Sequence, residues 1–455
     1  MKSTILHLGL GAFHRAHQAA YLQALVDLGD RGWRLASGNI RGDGIELERA
    51  LIAQGGRYVL ETVSPDGARA YQTIDVIDEV LAFTPDLAAV TAVGADPATR
   101  IISMTVSEAG YHLRPDLTLI EDDPDLAADL QRGDNRTLYG ALSLILTARM
   151  AAGAGPVTLL SCDNLRGNGG RLMAGLDAFL TAQGELALLA WCERNVTAPN
   201  AMVDRITPRP PPELAARVAR AVGWNDAAPV MAEDFRQWVI EDRFAAGRPT
   251  LERVGVQFVA DVTPYEEAKI RILNASHSVI AWAGVLKGCT FIHEAAADPQ
   301  VAAIARAFIQ DAVIPSLSPS PIDLAAYGAV TLSRFANPEI RDTNQRVCAD
   351  SWTKFAGFIA PTVAGCLEQG RGLEAAAAPA ALLILFLERW AAGDLPFAYE
   401  DQALDPAAAR AILADADPAR AFCAEPRLWD DRAGDPRLTE AVGAALVRAR
   451  ARMAG

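Results

Sequence analysis

The sequence predicts an α/β domain built on a parallel sheet, followed by a mainly helical (all-α) domain. Three observations carry that expectation. Short apolar runs alternate with helical patterns up to about residue 258, and such alternation builds βαβ units. A Gly-x-Gly turn follows the first of these runs directly. Beyond about residue 260 strand signals almost vanish, and Ala- and Leu-rich segments with helical periodicity take over.

The first run, Thr4-Ile-Leu-His-Leu, reads as a buried parallel strand entering a tight turn. A helix is expected over residues 15–28, and further strands at 33–37, 100–106 and 156–161. Helical patterns lie at 75–83 and 137–152. The proline-rich stretch 208–212 reads as a surface turn. Helices are expected at 265–285, 301–310, 351–368 and 375–392, so the two domains are drawn as 1–258 and 259–455. No internal repeat or low-complexity tract interrupts them.

A chain of 455 residues exceeds one ordinary domain. With 51% hydrophobic and 22% charged residues it can bury a sizeable core. A formal net charge of −14 argues against a nucleic-acid or anionic-membrane partner, either of which needs a basic patch. The six cysteines form no CxxC and have no histidine at zinc-finger spacing. They read as reduced thiols of a cytoplasmic protein, with no metal site. No signal-peptide pattern opens the sequence, and the longest apolar candidate, 378–387, is too short to span a bilayer.

Gly9-Leu10-Gly11-Ala12-Phe13-His14 sits between a strand and a helix. There glycines let the backbone approach a pyrophosphate, and the helix start offers free N–H groups. Residues Gly9, Gly11, Ala12, Phe13 and His14 are therefore candidate dinucleotide contacts, in a Rossmann-type domain. The sixth position is His14 rather than glycine, which departs from the usual fingerprint; a lone Gly-x-Gly is also a common tight turn. After the second strand, Asp43 can accept from a ribose 2′-hydroxyl and select NAD, whereas Arg41 can hold a 2′-phosphate and admit NADP. NAD is the expected cofactor. A solvated loop pair is the ordinary alternative for both residues.

Thr263-Pro264-Tyr265-Glu266 is a helix start, with Thr263 as N-cap, Pro264 at the first position and Glu266 closing a capping box. Lys269, Asn274 and His277 follow on that helix. At about 100° per residue they and Glu266 share an arc of roughly 140°. Burying four polar groups together without a purpose is costly. Alcohol oxidation gives them one. A desolvated lysine can take the hydroxyl proton. An asparagine amide can donate to the oxygen as charge builds, and a histidine can orient a hydroxyl. A snorkelling lysine, a carbonyl-bonded asparagine and a satisfied core histidine are the structural alternatives. Tyr265-x-x-x-Lys269 also matches the YxxxK of short-chain dehydrogenases, but it falls at the start of the second domain and is read as chance.

Longer segments carry a resemblance. They are Gly9-x-Gly11-x-Phe13-His14-Arg15, Thr105-Val106-Ser107-Glu108-x-Gly110-Tyr111, Ser161-Cys162-Asp163-Asn164-x-x-x-Asn168-Gly169, Met202-Val203-Asp204-Arg205-Ile206-Thr207-Pro208, Lys269-x4-Asn274-x2-His277, Asp342-x-x-x-Arg346 and Lys354. Nearly end to end, the chain resembles the polyol-specific long-chain dehydrogenases, the family of mannitol, arabinitol and uronate enzymes. Segments 36–41 and 54–65 are most similar to its arabinitol branch. The resemblance implies that Lys269 is the general base and that Asn274 and Asn164 clamp the oxyanion. It implies that Asp204, His277, Arg346 and Lys354 hold substrate hydroxyls, with Glu108 near the nicotinamide. Glu266 either passes a proton to water or merely caps its helix. No metal is implied. The expected partner is a small polyol or ketose, and the expected state a monomer. A mannitol or uronate substrate remains the near alternative, since Arg346 or Lys354 can meet a carboxylate. A catalytically silent dinucleotide sensor is the alternative from another class. It would keep the glycine turn without needing Lys269, Asn274 and His277 together.

Overall fold

The computed structural model describes residues 2–131 and 135–453. Two compact units divide it, one of residues 1–64 and 69–263, the other of residues 65–68 and 264–455.

In the first unit the strands are β1 (Ser3–Leu8), β2 (Trp33–Gly38), β3 (Tyr58–Val63), β4 (Arg69–Ile74), β5 (Ile77–Leu81), β6 (Thr99–Met104), β7 (Val157–Ser161), β8 (Val196–Thr197), β9 (Ala201–Asp204), β10 (Val230–Glu233), β11 (Gln237–Glu241) and β12 (Gln257–Val259). The main sheet has the order β5-β2-β1-β6-β7-β8, and every neighbouring pair is parallel. This is the doubly wound arrangement in which the strand order reverses beside β1, and ligands bind at the carboxyl ends there. Gly9 and Gly11 begin at that end. The central strands are nearly continuous runs of buried residues, as a sheet covered on both faces requires. Two three-stranded sheets, β10-β3-β4 and β12-β11-β9, complete the unit.

Residues 75–83, expected as helix, instead contain β5, paired with β2 through Leu35–Ile77 and Gly38–Leu81. The apolar residues Ile77 and Leu81 are four apart, which mimics a helical face. Pairing with β2 overrides that local pattern. The helix expected at 15–28 is two helices, Ala12–Ala16 and Gln18–Asp27, broken at His17 (φ −115°, ψ −81°). Strands β3, β4 and β8 to β12 were not anticipated; each is short or lies in a small sheet.

The second unit is helical. Its spine is Ala275–Leu286, buried on nearly all sides and packed on helices Ile292–Ala297, Pro299–Ala307, Asn344–Cys348 and Ala378–Ala392. Among the described residues, three of its helices contain a π-helical turn, at Lys269–Asn274, Phe308–Val313 and Phe355–Ile359. Single π-turns are rare and are frequent at functional sites. None was foreseen from the sequence. Among the described residues no helix is long and apolar enough to cross a membrane.

Candidate active site

The glycine turn of the first unit is shaped by its backbone. Gly9 has φ +115°, a conformation that suits glycine, and a Cβ there would lie 2.6 Å from the Thr105 carbonyl oxygen. At Gly11 a Cβ would meet nothing within 4 Å. The turn is pinned from behind: Leu10 N donates to Asn39 Oδ1 (2.9 Å), and Asn39 Nδ2 donates to the buried Glu48 (3.2 Å). Ala12 and Phe13 open the following helix, whose first N–H groups lack intrahelical acceptors. An open space above Gly11 and free N–H groups beside it fit a dinucleotide pyrophosphate.

His14 departs from the fingerprint for a visible reason. Its ring is 1% exposed, stacks on His7 at 3.5 Å, and shares a 3.1 Å hydrogen bond with Ser37 Oγ. It supports the sheet from inside, so only its backbone remains for a cofactor. His7, His14 and His17 are all buried. Desolvation pulls His7 and His17 down to about 3 and His14 well below its ordinary value. Beyond β2, Arg41 pairs with Asp125 at 3.1 Å, while Asp43 lies exposed in the short turn Gly42–Gly44.

Glu108 and Asn164 are exposed, each in a loop at the carboxyl end of a central strand. The buried Asp163 carboxylate fixes both loops. It accepts from the Val106 and Ser107 N–H groups (2.9 and 3.0 Å) and from Tyr111 Oη (2.9 Å). Burial nonetheless raises its pKa. Asn168 adds a clip, donating to the Asp163 and Ala201 carbonyls and accepting from Ala201 N. Asp204 ends β9 and is buried. Its neighbour Arg205 donates to the carbonyls of Ala16 (2.5 Å) and Glu233 (2.9 and 2.8 Å), tying β9 to the helix after the glycine turn.

In the second unit the helix runs as Thr263–Ala268, the π-turn Lys269–Asn274, and Ala275–Leu286. Thr263 is already helical, and Asp261 Oδ1 accepts from its N–H at 2.9 Å, so the expected cap lies earlier. The π-turn also corrects the expected geometry. In a regular α-helix, positions five apart point roughly 140° away from each other. A π-turn closes i→i+5, and this one begins at Lys269 and ends at Asn274. It stacks the two residues along one side of the helix, with His277 less than a turn beyond. Glu266 and Lys269 are both 7% exposed. Other polar groups of the helix are satisfied locally: Ser276 and Ser278 donate to the Ile272 and Asn274 carbonyls, and Trp282 Nε1 donates to Ser351 Oγ (2.8 Å).

Asp342, Arg346 and Lys354 gather around His277. Asp342 lies 3.5 Å from His277 Nε2 and takes the Arg346 guanidinium with both carboxylate oxygens. Phe335 stacks on the imidazole at 4.5 Å. Burial lowers His277 to about 4, against the pull of Asp342, so the ring is neutral near pH 7. Burial favours protonation of Asp342, but Arg346 and His277 outweigh it and hold the carboxylate below its usual range. Lys354 Nζ donates to the Val347 (2.9 Å) and Ala349 (2.7 Å) carbonyls, and desolvation, then Arg346, lowers its pKa. The role of Asp342 was missed, although its spacing of four from Arg346 is that of a helical ion pair. Among the described residues no group of three or more His, Cys, Asp or Glu side chains could hold a metal ion.

Comparison with known proteins places these features. Residues 3–253 match the mannitol dehydrogenase Rossmann domain, and residues 261–449 match the mannitol dehydrogenase C-terminal domain. The chain is 54% identical to D-arabinitol 4-dehydrogenase of Ralstonia nicotianae over 450 residues, 98% of this chain and 96% of that one. It is 50% identical to D-arabinitol 4-dehydrogenase of Klebsiella pneumoniae, covering 95% of each. Among solved structures, the Pseudomonas fluorescens mannitol 2-dehydrogenase ternary complex with NAD and D-mannitol is similar, with a TM-score of 0.83 and 33% identity. That similarity covers 100% of this chain and 93% of the other. A doubly wound domain with a glycine turn, a helical domain carrying the Lys-x4-Asn-x2-His run, and matches over nearly the whole length lead to one assignment: the chain belongs to the mannitol dehydrogenase family of NAD-dependent polyol oxidoreductases.

Proposed function

We propose that the chain oxidises a secondary hydroxyl of a sugar alcohol to a ketose without a metal, with D-arabinitol and D-xylulose as the preferred pair. The observation that carries the chemistry is the π-turn that stacks Lys269 and Asn274 on one side of a buried helix. The substrate choice is supported by the two D-arabinitol 4-dehydrogenase relatives, at 54% and 50% identity.

In this reading Lys269 takes the hydroxyl proton at Nζ. Asn274 and Asn164 donate their amide hydrogens to the oxygen as negative charge develops, and the carbonyl forms. NAD, held by the residues of the glycine turn, supplies the hydride acceptor. Glu266, one turn before Lys269, relays the proton onward to water. Asp204, His277 and Lys354 bind the remaining hydroxyls. Lys354 still has one N–H to offer, since two are engaged by carbonyls. Arg346 is committed to Asp342 and serves that group jointly with it. A lysine base and amide donors perform the deprotonation and charge stabilisation for which other dehydrogenases use a Lewis acid.

NADH formation with D-arabinitol, D-mannitol, D-sorbitol, galactitol and ribitol tests the reading, with D-arabinitol expected to give the highest kcat/KM. Absence of turnover with every polyol, in both directions and with both NAD and NADP, overturns it. Activity should survive a strong chelator, and loss restored by zinc would refute the metal-free mechanism.

A further inference from the structure

Between Lys269 and Asn274, on the π-turn itself, lies Arg271, a buried arginine to which the mechanism assigns no role. It is 8% exposed. Its Nε donates to Thr362 Oγ1 (3.0 Å) and its Nη2 to Ser316 Oγ (2.5 Å). Glu267, on the preceding turn, stands 4.0 Å from Nη1.

The positions of those two hydroxyls matter. Ser316 lies in Ile314–Leu317, which directly follows the π-turn Phe308–Val313. Thr362 lies in Ala360–Glu368, which directly follows the π-turn Phe355–Ile359. Both of those π-turns pack against Lys269–Asn274. Ser316 is itself fixed, donating to the Val313 carbonyl at 2.8 Å.

A π-turn is a locally unfavourable way to wind a helix and persists only where surroundings hold it. An arginine fork with its N–H groups bonded at fixed angles is suited to that task, because it resists both rotation and translation. Losing the two hydroxyls would leave a buried charge short of acceptors. The segment could relieve that by rewinding, which would turn Lys269 and Asn274 apart.

We propose that Arg271 is a positioning residue: clamped by Thr362 and Ser316, it locks the 269–274 π-turn and so sets the directions of Lys269 and Asn274. This rests on the reading of Lys269 as base and Asn274 as oxyanion donor.

The test uses the full chain with Thr362→Val and Ser316→Ala combined, and with Thr362→Ser alone. The double variant should lose roughly tenfold to a hundredfold in kcat, the scale expected for small misplacement of reacting groups. Its KM for NAD should stay within about twofold, because the glycine turn is untouched. The primary isotope effect on a carbon-deuterated polyol should rise as chemistry becomes limiting. Thr362→Ser, which keeps the hydroxyl, should retain wild-type kcat. Unchanged kcat and isotope effect in the double variant overturn the proposal, as does an equal loss in Thr362→Ser. If the wild-type chain oxidises no polyol, the catalytic reading fails on its own. Amide hydrogen exchange of residues 269–274 then decides the clamp. Faster exchange in the double variant at equal global stability supports it, and unchanged exchange overturns it.

Discussion

His277 Nε2 lies 3.5 Å from Asp342 Oδ2, and the same carboxylate grips Arg346. One acid thus stands beside the imidazole and neutralises a cation next to it. Asp342→Asn keeps the shape but weakens both attractions. The expected result is a KM for polyol raised about tenfold, equivalent to roughly 1.4 kcal/mol, with KM for NAD unchanged. Equal changes in both constants would show that Asp342 supports the fold rather than the substrate group.

Lys269→Ala should abolish measurable turnover while NADH binding, followed by fluorescence titration, stays within about threefold of wild type. Loss of a general base costs rate rather than cofactor affinity. Near-wild-type activity in this variant would remove Lys269 from the mechanism.

The two glycines of the cofactor turn should fail differently. Gly9→Ala places a Cβ 2.6 Å from the Thr105 carbonyl oxygen at φ +115°, so it should lower Tm by several degrees. Gly11→Ala meets nothing within 4 Å, so Tm should hold while the Kd for NAD rises. Similar Tm losses in both variants would contradict the assignment of the space above Gly11 to the cofactor.

For cofactor choice, Asp43→Ala should raise KM for NAD more than KM for NADP, because only the unphosphorylated ribose offers a 2′-hydroxyl to this acid. Equal effects on the two cofactors would reassign Asp43 to an ordinary exposed turn.

His7, His14 and His17 make stability fall in acid. Their pKa values are depressed in the folded state, to about 3 for His7 and His17, so the unfolded chain binds protons first. Above pH 6.5 these groups leave stability unaffected. Between 6.5 and about 3, His7 and His17 each remove up to about 1.4 kcal/mol per pH unit, and His14 acts in the same direction. Urea midpoints measured at pH 7.5, 6 and 5 should fall progressively, and His17→Gln should flatten the slope. A midpoint independent of pH over that range would sink this account.

The glycine turn, the central strands and the Lys-x4-Asn-x2-His run were legible in the sequence because each rests on local pattern: an apolar run, a turn residue, a fixed spacing. β5 was not, since its apolar spacing fits either period and only pairing with β2 selects the strand. The inward turn of His14 was invisible for a similar reason, as it depends on His7 and Ser37 arriving from two strands. The π-turn was hidden most completely. Nothing in Lys-Ile-Arg-Ile-Leu-Asn resists an α-helix, and the contacts that accompany the π-turn come from Ser316 and Thr362, far along the chain.

That hidden turn bears on how this enzyme can be improved. Substitutions that rewind Lys269–Asn274 into an ordinary α-helix, with no residue removed, would give better hydrogen bonds and a lower cost of folding. They would also swing every downstream side chain by roughly 100°, carrying His277 away from Asp342. Selection for thermal tolerance alone therefore favours a chain that has stopped working, and screens for hardier variants need an activity gate at this segment.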